Sequence, residues 1–423
     1  MTAKRKTARS NALVRVGVIG VGRGQTFMHQ AKAAGMRLVA ICDTWKERLD
    51  KVGAQYDITT YQDYDKFLEH DMDAVVLANY FHEHAPFAIK ALRAGKHVMS
   101  ECAACNTMGE GVELCRAVEK SGKIYMFAEN YPYTAANIEM TRLYHQGEIG
   151  RVLYAEGEYN HPGDFDWAMS ISPGVDHWRN RLPATYYCTH AMAPLMTITD
   201  TMPVTVNGFA VPIPEDYPKP LLKRGRDAGS IIMCRMDNSS IFRLVQGGFP
   251  GHSIWYRLHG ERGLIETVRG PGYWGPGTVR LVHDEWDIRK DQVPESVYLP
   301  QFPRWAREAG TAGHGGGDFF TNYHFAQAIR TGKQPYLNVY RGVAMSCVGI
   351  LAWKSALAQG APFAMPDFSK EASRELHAKD HWTPFDMEDP KRPPTALRGE
   401  PTVDPGGLAR AKKVWRKTGY HGE

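Results

Sequence analysis

A chain of 423 residues has the length for two to three domains at roughly 150 residues each. Hydrophobic residues make up 43% and charged residues 23%, which excludes a mainly disordered chain, a collagen-like repeat and a coiled coil. No apolar run reaches the roughly 18 residues of a membrane span, and a net charge of +5 is too weak to indicate a nucleic-acid partner. Seven cysteines at irregular spacing do not form a disulfide framework, and Cys102 and Cys105 lack the second pair that a zinc site of that spacing needs. The basic start, Lys4 to Arg9, is followed by no apolar stretch or cleavage site, so the expected compartment is the reducing cytoplasm.

Residues 1–12 are expected to be a mobile tail. From residue 14, strands at 14–19, 38–42, 74–78, 97–100 and 124–128 alternate with helices through 34 and at 64–69, 86–94 and 108–121. That alternation predicts βαβ units and a parallel sheet, so 13–133 reads as a Rossmann dinucleotide-binding domain in an α/β protein. The rhythm then changes. After a helix at 135–145 come strands at 152–159, 204–211, 230–236, 240–246, 253–259, 264–268 and 279–282. Short turns between them, as at 237–238, predict a large open, mostly antiparallel sheet, making 134–365 an α+β substrate and oligomerisation domain. Helices at 318–330 and 343–358 should cover one face of that sheet. The stretch 366–423, rich in proline, glycine and charge, reads as an extended C-terminal arm, partly disordered.

The first strand runs into Gly20-Val21-Gly22-Arg23-Gly24. Glycine at 20 permits a tight turn, and Gly22 lets the backbone approach a pyrophosphate. Gly24 stands one place before the third glycine of the usual fingerprint. Asp43 ends the second strand about 20 residues on, where a carboxylate accepts ribose hydroxyls and repels a 2′-phosphate. That favours NAD over NADP, with Arg48 nearby acting against the preference. The other reading is a Gly-rich turn in an α/β protein that binds no nucleotide.

The segment from Asp73 to Glu101 contains Asn79, His82-Glu83-His84 and an Ala94-Gly95-Lys96-His97-Val98 turn. It resembles the dinucleotide domain of the Gfo/Idh/MocA oxidoreductase family, and the likeness runs from residue 14 to 370. The resemblance implies a Rossmann domain followed by an open-sheet domain. It also implies that Arg23, Asn79, His84 and Glu101 join Gly20, Gly22, Gly24 and Asp43 at the cofactor. Where dehydrogenases of the family carry Glu-Lys-Pro, this chain has Glu101-Cys102-Ala103, so the lysine that assists proton removal from a substrate hydroxyl is absent.

Later segments resemble the NAD-dependent glycosidases of glycoside hydrolase family 109. They are Phe127-Ala128-Glu129-Asn130-Tyr131-Pro132-Tyr133, Gly157-Glu158-Tyr159-Asn160-His161, Trp178-Arg179 and Tyr187-Cys188-Thr189-His190, then Gly313 to Phe319, Asn338 to Tyr340 and Met365 to Phe368. The resemblance implies NAD as a catalyst restored in every turnover. Hydride leaves C3 of a hexoside, the ketone acidifies the C2 proton, a base removes it and the aglycone departs; water then adds and the hydride returns. Paired flanking carboxylates are not required for this chemistry. By motif, Tyr159 is the base at C2, Tyr187 and His190 stand around O3 and the nicotinamide, and Glu129 hydrogen-bonds sugar or cofactor. Tyr159 would need a cation such as Arg179 beside it, since a phenol's ordinary pKa is near 10. His161 and His314 are sugar contacts or leaving-group acids, Tyr133 is a substrate contact, and Arg179 touches nicotinamide or substrate. Arg179 with Arg181 would suit an anionic sugar such as a sulfoquinovoside, in place of an N-acetylgalactosaminide or related hexoside.

Each residue also has a plainer reading. Tyr159 fits a packed strand position, although His161 shares its face. His190 fits a helix N-terminus, Glu129 a buried ion pair with arginine, and His314 a helix cap. His82 and His84 have no third ligand in sequence, and no metal is expected. Trp167, Trp178, Trp255 and Trp274 are candidate stacking platforms, and the basic run 410–417 reads as a solvated tail. The expectation is an NAD-dependent glycosidase; the alternative is a sugar or inositol dehydrogenase, and the third reading a dinucleotide sensor. Expected partners are a small-molecule glycoside and further copies of the chain, as a dimer or tetramer, with neither nucleic acid nor membrane.

Overall fold

The computed structural model describes residues 12–269 and 277–422, so Trp274 and all but residue 12 of the expected N-terminal tail lie outside the described residues. The first sheet is built from β1 (Val14–Ile19), α1 (Gln25–Gln30), β2 (Met36–Cys42), α2 (Lys46–Tyr56), β3 (Thr59–Tyr61), α3 (Tyr64–Glu69), β4 (Ala74–Leu77), α4 (His84–Arg93), β5 (His97–Ser100), α5 (Met108–Ser121) and β6 (Tyr125–Phe127). Its strands are parallel in the order β3-β2-β1-β4-β5-β6. β4 is buried along its whole length because helices cover both faces of a parallel sheet. The chain reverses its direction of travel across the sheet between β1 and β4, which opens a crevice beyond their carboxyl ends. α2 and β3 are additions to the expected pattern. α2 buries only Leu49, Val52 and Gly53, too sparse a stripe to show as a period.

The chain continues through α6 (Ala135–His145), β7 (Val152–Asn160), α7 (Phe165–Ser170), α8 (Thr189–Thr199), β8 (Pro203–Pro212), β9 (Lys223–Arg224), β10 (Asp227–Met236), β11 (Ile241–Gly247), β12 (Ser253–Gly260), β13 (Gly263–Thr267), β14 (Val279–His283) and β15 (Glu295–Tyr298). It ends with α9 (Ala306–Gly310), α10 (Gly317–Thr331), α11 (Val339–Leu357), β16 (Phe363–Ala364), α12 (Glu371–Glu375), β17 (Thr402–Val403) and α13 (Pro405–Lys417). The second sheet runs β15-β14-β13-β12-β7-β11-β10-β8-β16 and is antiparallel throughout except at β7–β11.

Two glycines set the helices on this sheet. A Cβ on Gly157 of β7 would stand 1.9 Å from the Ala191 carbonyl oxygen of α8, and one on Gly208 of β8 would stand 2.3 Å from that of Ala352 in α11. The cover is therefore α11 with α8, not α11 with the 318–330 helix expected from sequence. α10 packs on α1 instead: Asn322 Nδ2 donates to the Phe27 carbonyl at 2.9 Å, and Arg330 Nη2 to that of Gly35 at 2.8 Å. α8 escapes a periodicity reading because it is buried on all sides and holds Pro194 inside it.

The 366–423 stretch is not an extended arm. Arg374 of α12 is buried and donates to Glu119 and Glu371, while Ala411 and Trp415 of α13 pack with Met169 and Leu222. The basic run is the outer face of that docked helix. No helix among the described residues is long and apolar enough to cross a membrane, and the seven cysteines are free and buried.

Candidate active site

Gly20 has φ 87°, and a Cβ there would stand 2.2 Å from the Ala78 carbonyl oxygen; one on Gly24 would stand 2.3 Å from the Gly20 carbonyl oxygen. These two glycines let β1 turn tightly against the end of β4. At Gly22 the nearest atom to a Cβ is the Arg48 guanidinium at 3.5 Å, so bare backbone faces the crevice. Asp43 follows β2; Oδ2 accepts from Val21 N and Oδ1 from Trp45 N, both at 2.8 Å, leaving lone pairs for ribose hydroxyls. This cradle fits a dinucleotide, with Gly22 at the pyrophosphate and Asp43 at the ribose.

Arg23 is engaged by two carboxylates, donating to Glu101 Oε1 at 2.6 Å and Asp318 Oδ1 at 3.0 Å. Asp318, buried at the start of α10, also accepts from Asn130 Nδ2 at 3.0 Å and His314 Nδ1 at 2.7 Å. Burial pushes both carboxyls up. Arg23 outweighs it at Glu101, and His314 with Arg23 outweighs it at Asp318, so both lie below the ordinary range. Asn79 Nδ2 donates to Glu83 at 3.3 Å. His84 is buried, its Nδ1 on the Ala103 carbonyl at 2.9 Å, so it fastens the start of α4 to the chain beyond β5.

The second cluster gathers where β6, β7 and α8 meet. His190 Nδ1 lies 2.9 Å from Glu129 Oε2, and the Glu129 side chain is 0% exposed. With its Nδ1–H donated to that carboxylate, the imidazole presents a lone pair at Nε2. Tyr256 Oη donates to the His190 carbonyl at 2.8 Å and holds the helix start. Tyr159, Tyr187 and Tyr131 ring the imidazole at 4.6, 4.8 and 4.9 Å between centroids. Cys102, Glu129 and His190 bring one ligand-type atom each within 4.8 Å of the others, a set that sequence spacing does not reveal. The cluster therefore abuts the residue that stands in place of the family's lysine.

His161 lies 5.7 Å from Tyr159, stacks on Trp167 at 5.2 Å and meets His252 at 4.5 Å. His314 is 5.9 Å from Tyr131, and the Arg179 guanidinium is 6.0 Å from the Tyr187 ring. Burial pushes the Tyr187 phenol well up and lowers His161, so both are uncharged at neutral pH. Glu129 thus pairs with a histidine, not with the arginine of its plainer reading.

The two remaining expected substrate contacts have other partners among the described residues. Tyr133 is buried with its ring against His324 of α10 at 4.7 Å. Arg181 donates to the Phe385 carbonyl at 3.4 Å and faces Asp176, Arg392 and Glu400, because the short helix Trp178–Asn180 turns residues 179 and 181 apart. Trp178 stacks on Phe81 at 5.2 Å and Trp255 lies beneath Arg257 and Arg269, while Trp167, 45% exposed, stacks on His161. Tyr131, Asn130 and Asp318 carry no role in the sequence reading; the signal for them was their place inside the Glu129–Tyr133 and Gly313–Phe319 segments.

Residues 14–129 match the family described as oxidoreductase family, NAD-binding Rossmann fold, and residues 223–374 match the glycosyl hydrolase 109 C-terminal domain. Glycosyl hydrolase family 109 proteins of Shewanella sp. (strain W3-18-1) and Solibacter usitatus (strain Ellin6076) are 26% and 27% identical to this chain. The first match spans 87% of this chain and 87% of the relative, the second 86% and 90%. In fold the chain is similar to levoglucosan dehydrogenase in complex with NADH and levoglucosan, with TM-score 0.70 and 20% identity over 84% of this chain and 99% of that one. It is likewise similar to aldose-aldose oxidoreductase from Caulobacter crescentus complexed with glycerol, with TM-score 0.67 and 20% identity over 84% and 100%. The chain joins an NAD-binding Rossmann domain of the Gfo/Idh/MocA oxidoreductase family to a C-terminal domain of glycosyl hydrolase family 109.

Proposed function

We propose that this NAD-dependent enzyme is a glycosidase that cleaves a hexoside through a transient ketone at C3. The observation that carries the reading is the buried Glu129–His190 pair inside a ring of three tyrosines, next to Cys102. NAD, when bound at the Gly20–Gly24 turn, supplies the hydride acceptor for C3 and returns the hydride at the end of the cycle. His190 Nε2 takes the O3 proton, and the Glu129 carboxylate orients the ring and stabilises its charged form, which replaces the missing lysine. Tyr159 removes the C2 proton that the ketone acidifies. Its ring lies 4.6 Å from the imidazole, so His190, once it holds the O3 proton, is a cation beside Tyr159. The C1 substituent leaves with the C1–O electron pair and takes a proton from the water whose hydroxide adds at C1, while Tyr159 returns its proton to C2 and His190 returns its proton to O3. Tyr187 stays a phenol and donates to the substrate. Neutral His161 and Trp167 form the wall on which a sugar face or aglycone rests. With Arg181 turned away, a single arginine remains, which supports a neutral hexoside such as an N-acetylgalactosaminide over a sulfoquinovoside.

Aryl hexosides given to NAD-loaded protein should release aglycone without net NADH and exchange C2–H for solvent deuterium. Stoichiometric NADH from a free sugar would instead establish the dehydrogenase alternative. NAD binding with neither reaction would establish a sensor. Tyr159→Phe should abolish the exchange and leave NAD bound.

A further inference from the structure

The crevice beyond β2 and β4 has an unusual roof. Asp43, where the adenosine ribose would sit, is followed two residues on by Trp45, whose indole lies under the Arg48 guanidinium at 5.7 Å. Across the crevice Tyr80, 45% exposed at the end of β4, packs edge-on against His177 at 5.0 Å. Against Trp45 lies the segment that follows α13. Tyr420 meets the Trp45 ring edge-on at 6.2 Å, and Gly419 lies over the same indole, its Cβ position 3.8 Å from it. The Tyr420 hydroxyl rests on Gly174, where a Cβ would come within 2.8 Å of it. Burial raises the Tyr80 phenol above its ordinary value, and the charges of Glu83, Asp43 and Tyr420 add to the effect.

Tyr420 is not a loose end. Its ring lies 6.0 Å from that of Trp415, its backbone N–H donates to the Trp415 carbonyl at 3.0 Å, and Trp415 is buried with Met169, Leu222 and Ala411. The anchor thus belongs to the second domain, while the ring that Tyr420 touches belongs to the first. We propose that the segment after α13, through Tyr420, closes over the adenosine half of the dinucleotide site and holds NAD against release. Trp45 and Tyr80 form the walls of that compartment, Asp43 its polar floor, and Tyr420 its cover. A cofactor that is restored within every turnover never needs to leave, so a bridge between the domains at this point slows dissociation without hindering the sugar site. The reason for retention rests on the proposed recycling of NAD, while the retention itself is measured without any sugar.

The test uses full-length, NAD-loaded protein and no sugar. Release of NAD after dilution is followed by exchange against labelled NAD. Tyr420→Ala and a chain stopped after Thr418 should release NAD about tenfold faster or more, the effect of losing one ring against a base. Tyr420→Phe should release it at the parental rate. Affinity for nicotinamide mononucleotide, which lacks the adenosine, should be unchanged in all three. Unchanged release in Tyr420→Ala, or an equal loss of affinity for the mononucleotide, overturns the proposal. Because retention is read without glycoside, failure of the glycosidase reading leaves this result intact.

Discussion

Glu129 and His190 stand 61 positions apart in the chain and 2.9 Å apart in space. Motifs nominated each of them, but not their partnership, since Glu129 follows β6 of the first domain and His190 lies in the second. Glu129→Gln keeps the shape of the pair and removes its charge. Aglycone release should fall by about 10²–10⁴-fold, the usual worth of a general base, while retained NAD, measured by extraction, stays the same. Arg23 makes a different kind of contact. Its neighbours Glu101 and Asp318 have 12% and 0% side-chain exposure, so Arg23→Met leaves two carboxylates buried without their cation. That should cost about 3 kcal/mol in urea unfolding. Asp318 also sets an acid limit. Its folded pKa lies below the unfolded value of about 3.9, so its stabilising contribution is complete above about pH 5 and is lost as pH falls further. The stability gap between the parent and Asp318→Asn should be constant from pH 8 to about pH 5 and narrow below about pH 4. A gap that widens on acidification would contradict the assignment.

Elements divide by how their residues are buried. Strands of the second sheet and helices such as α5 and α6 were readable because one face is apolar and the other is not. α8 was not, because an element enclosed by its neighbours has no polar face to supply a period. Its position is decided by Gly157, the one point in β7 where its backbone can come close. Gly157→Ala should destabilise the protein by about 1–3 kcal/mol and also lower kcat, since α8 carries His190. Gly208→Ala is the control. It disturbs α11, which carries no residue of the site, so it should cost comparable stability in the same urea titration with little change in kcat.

Across the whole molecule the two domains are held together by contacts far apart in sequence: Arg23 with Asp318, α1 with α10, and Trp45 with Tyr420. The C-terminal stretch belongs to this closure. Trp415→Ala removes its largest buried side chain, and at about 3–5 kcal/mol for such a deletion α13 should detach while the two sheets persist. Limited proteolysis should then cut first among the basic residues of 410–417 and leave a stable core. The alternation of strand and helix, the glycines of the turn after β1, the place of Asp43 at the end of β2 and the nomination of most residues around His190 came from the sequence alone. They rest on local rules: backbone freedom at glycine, burial periodicity, and side-chain chemistry at fixed spacing from a strand end. The Glu129–His190 pair, the clamp of Arg23, the contacts of Arg181 with Phe385 and of Tyr133 with His324, and the docking of α13 were decided only by tertiary structure. Each depends on which distant surface a side chain meets once the sheets are packed, and no local spacing carries that information.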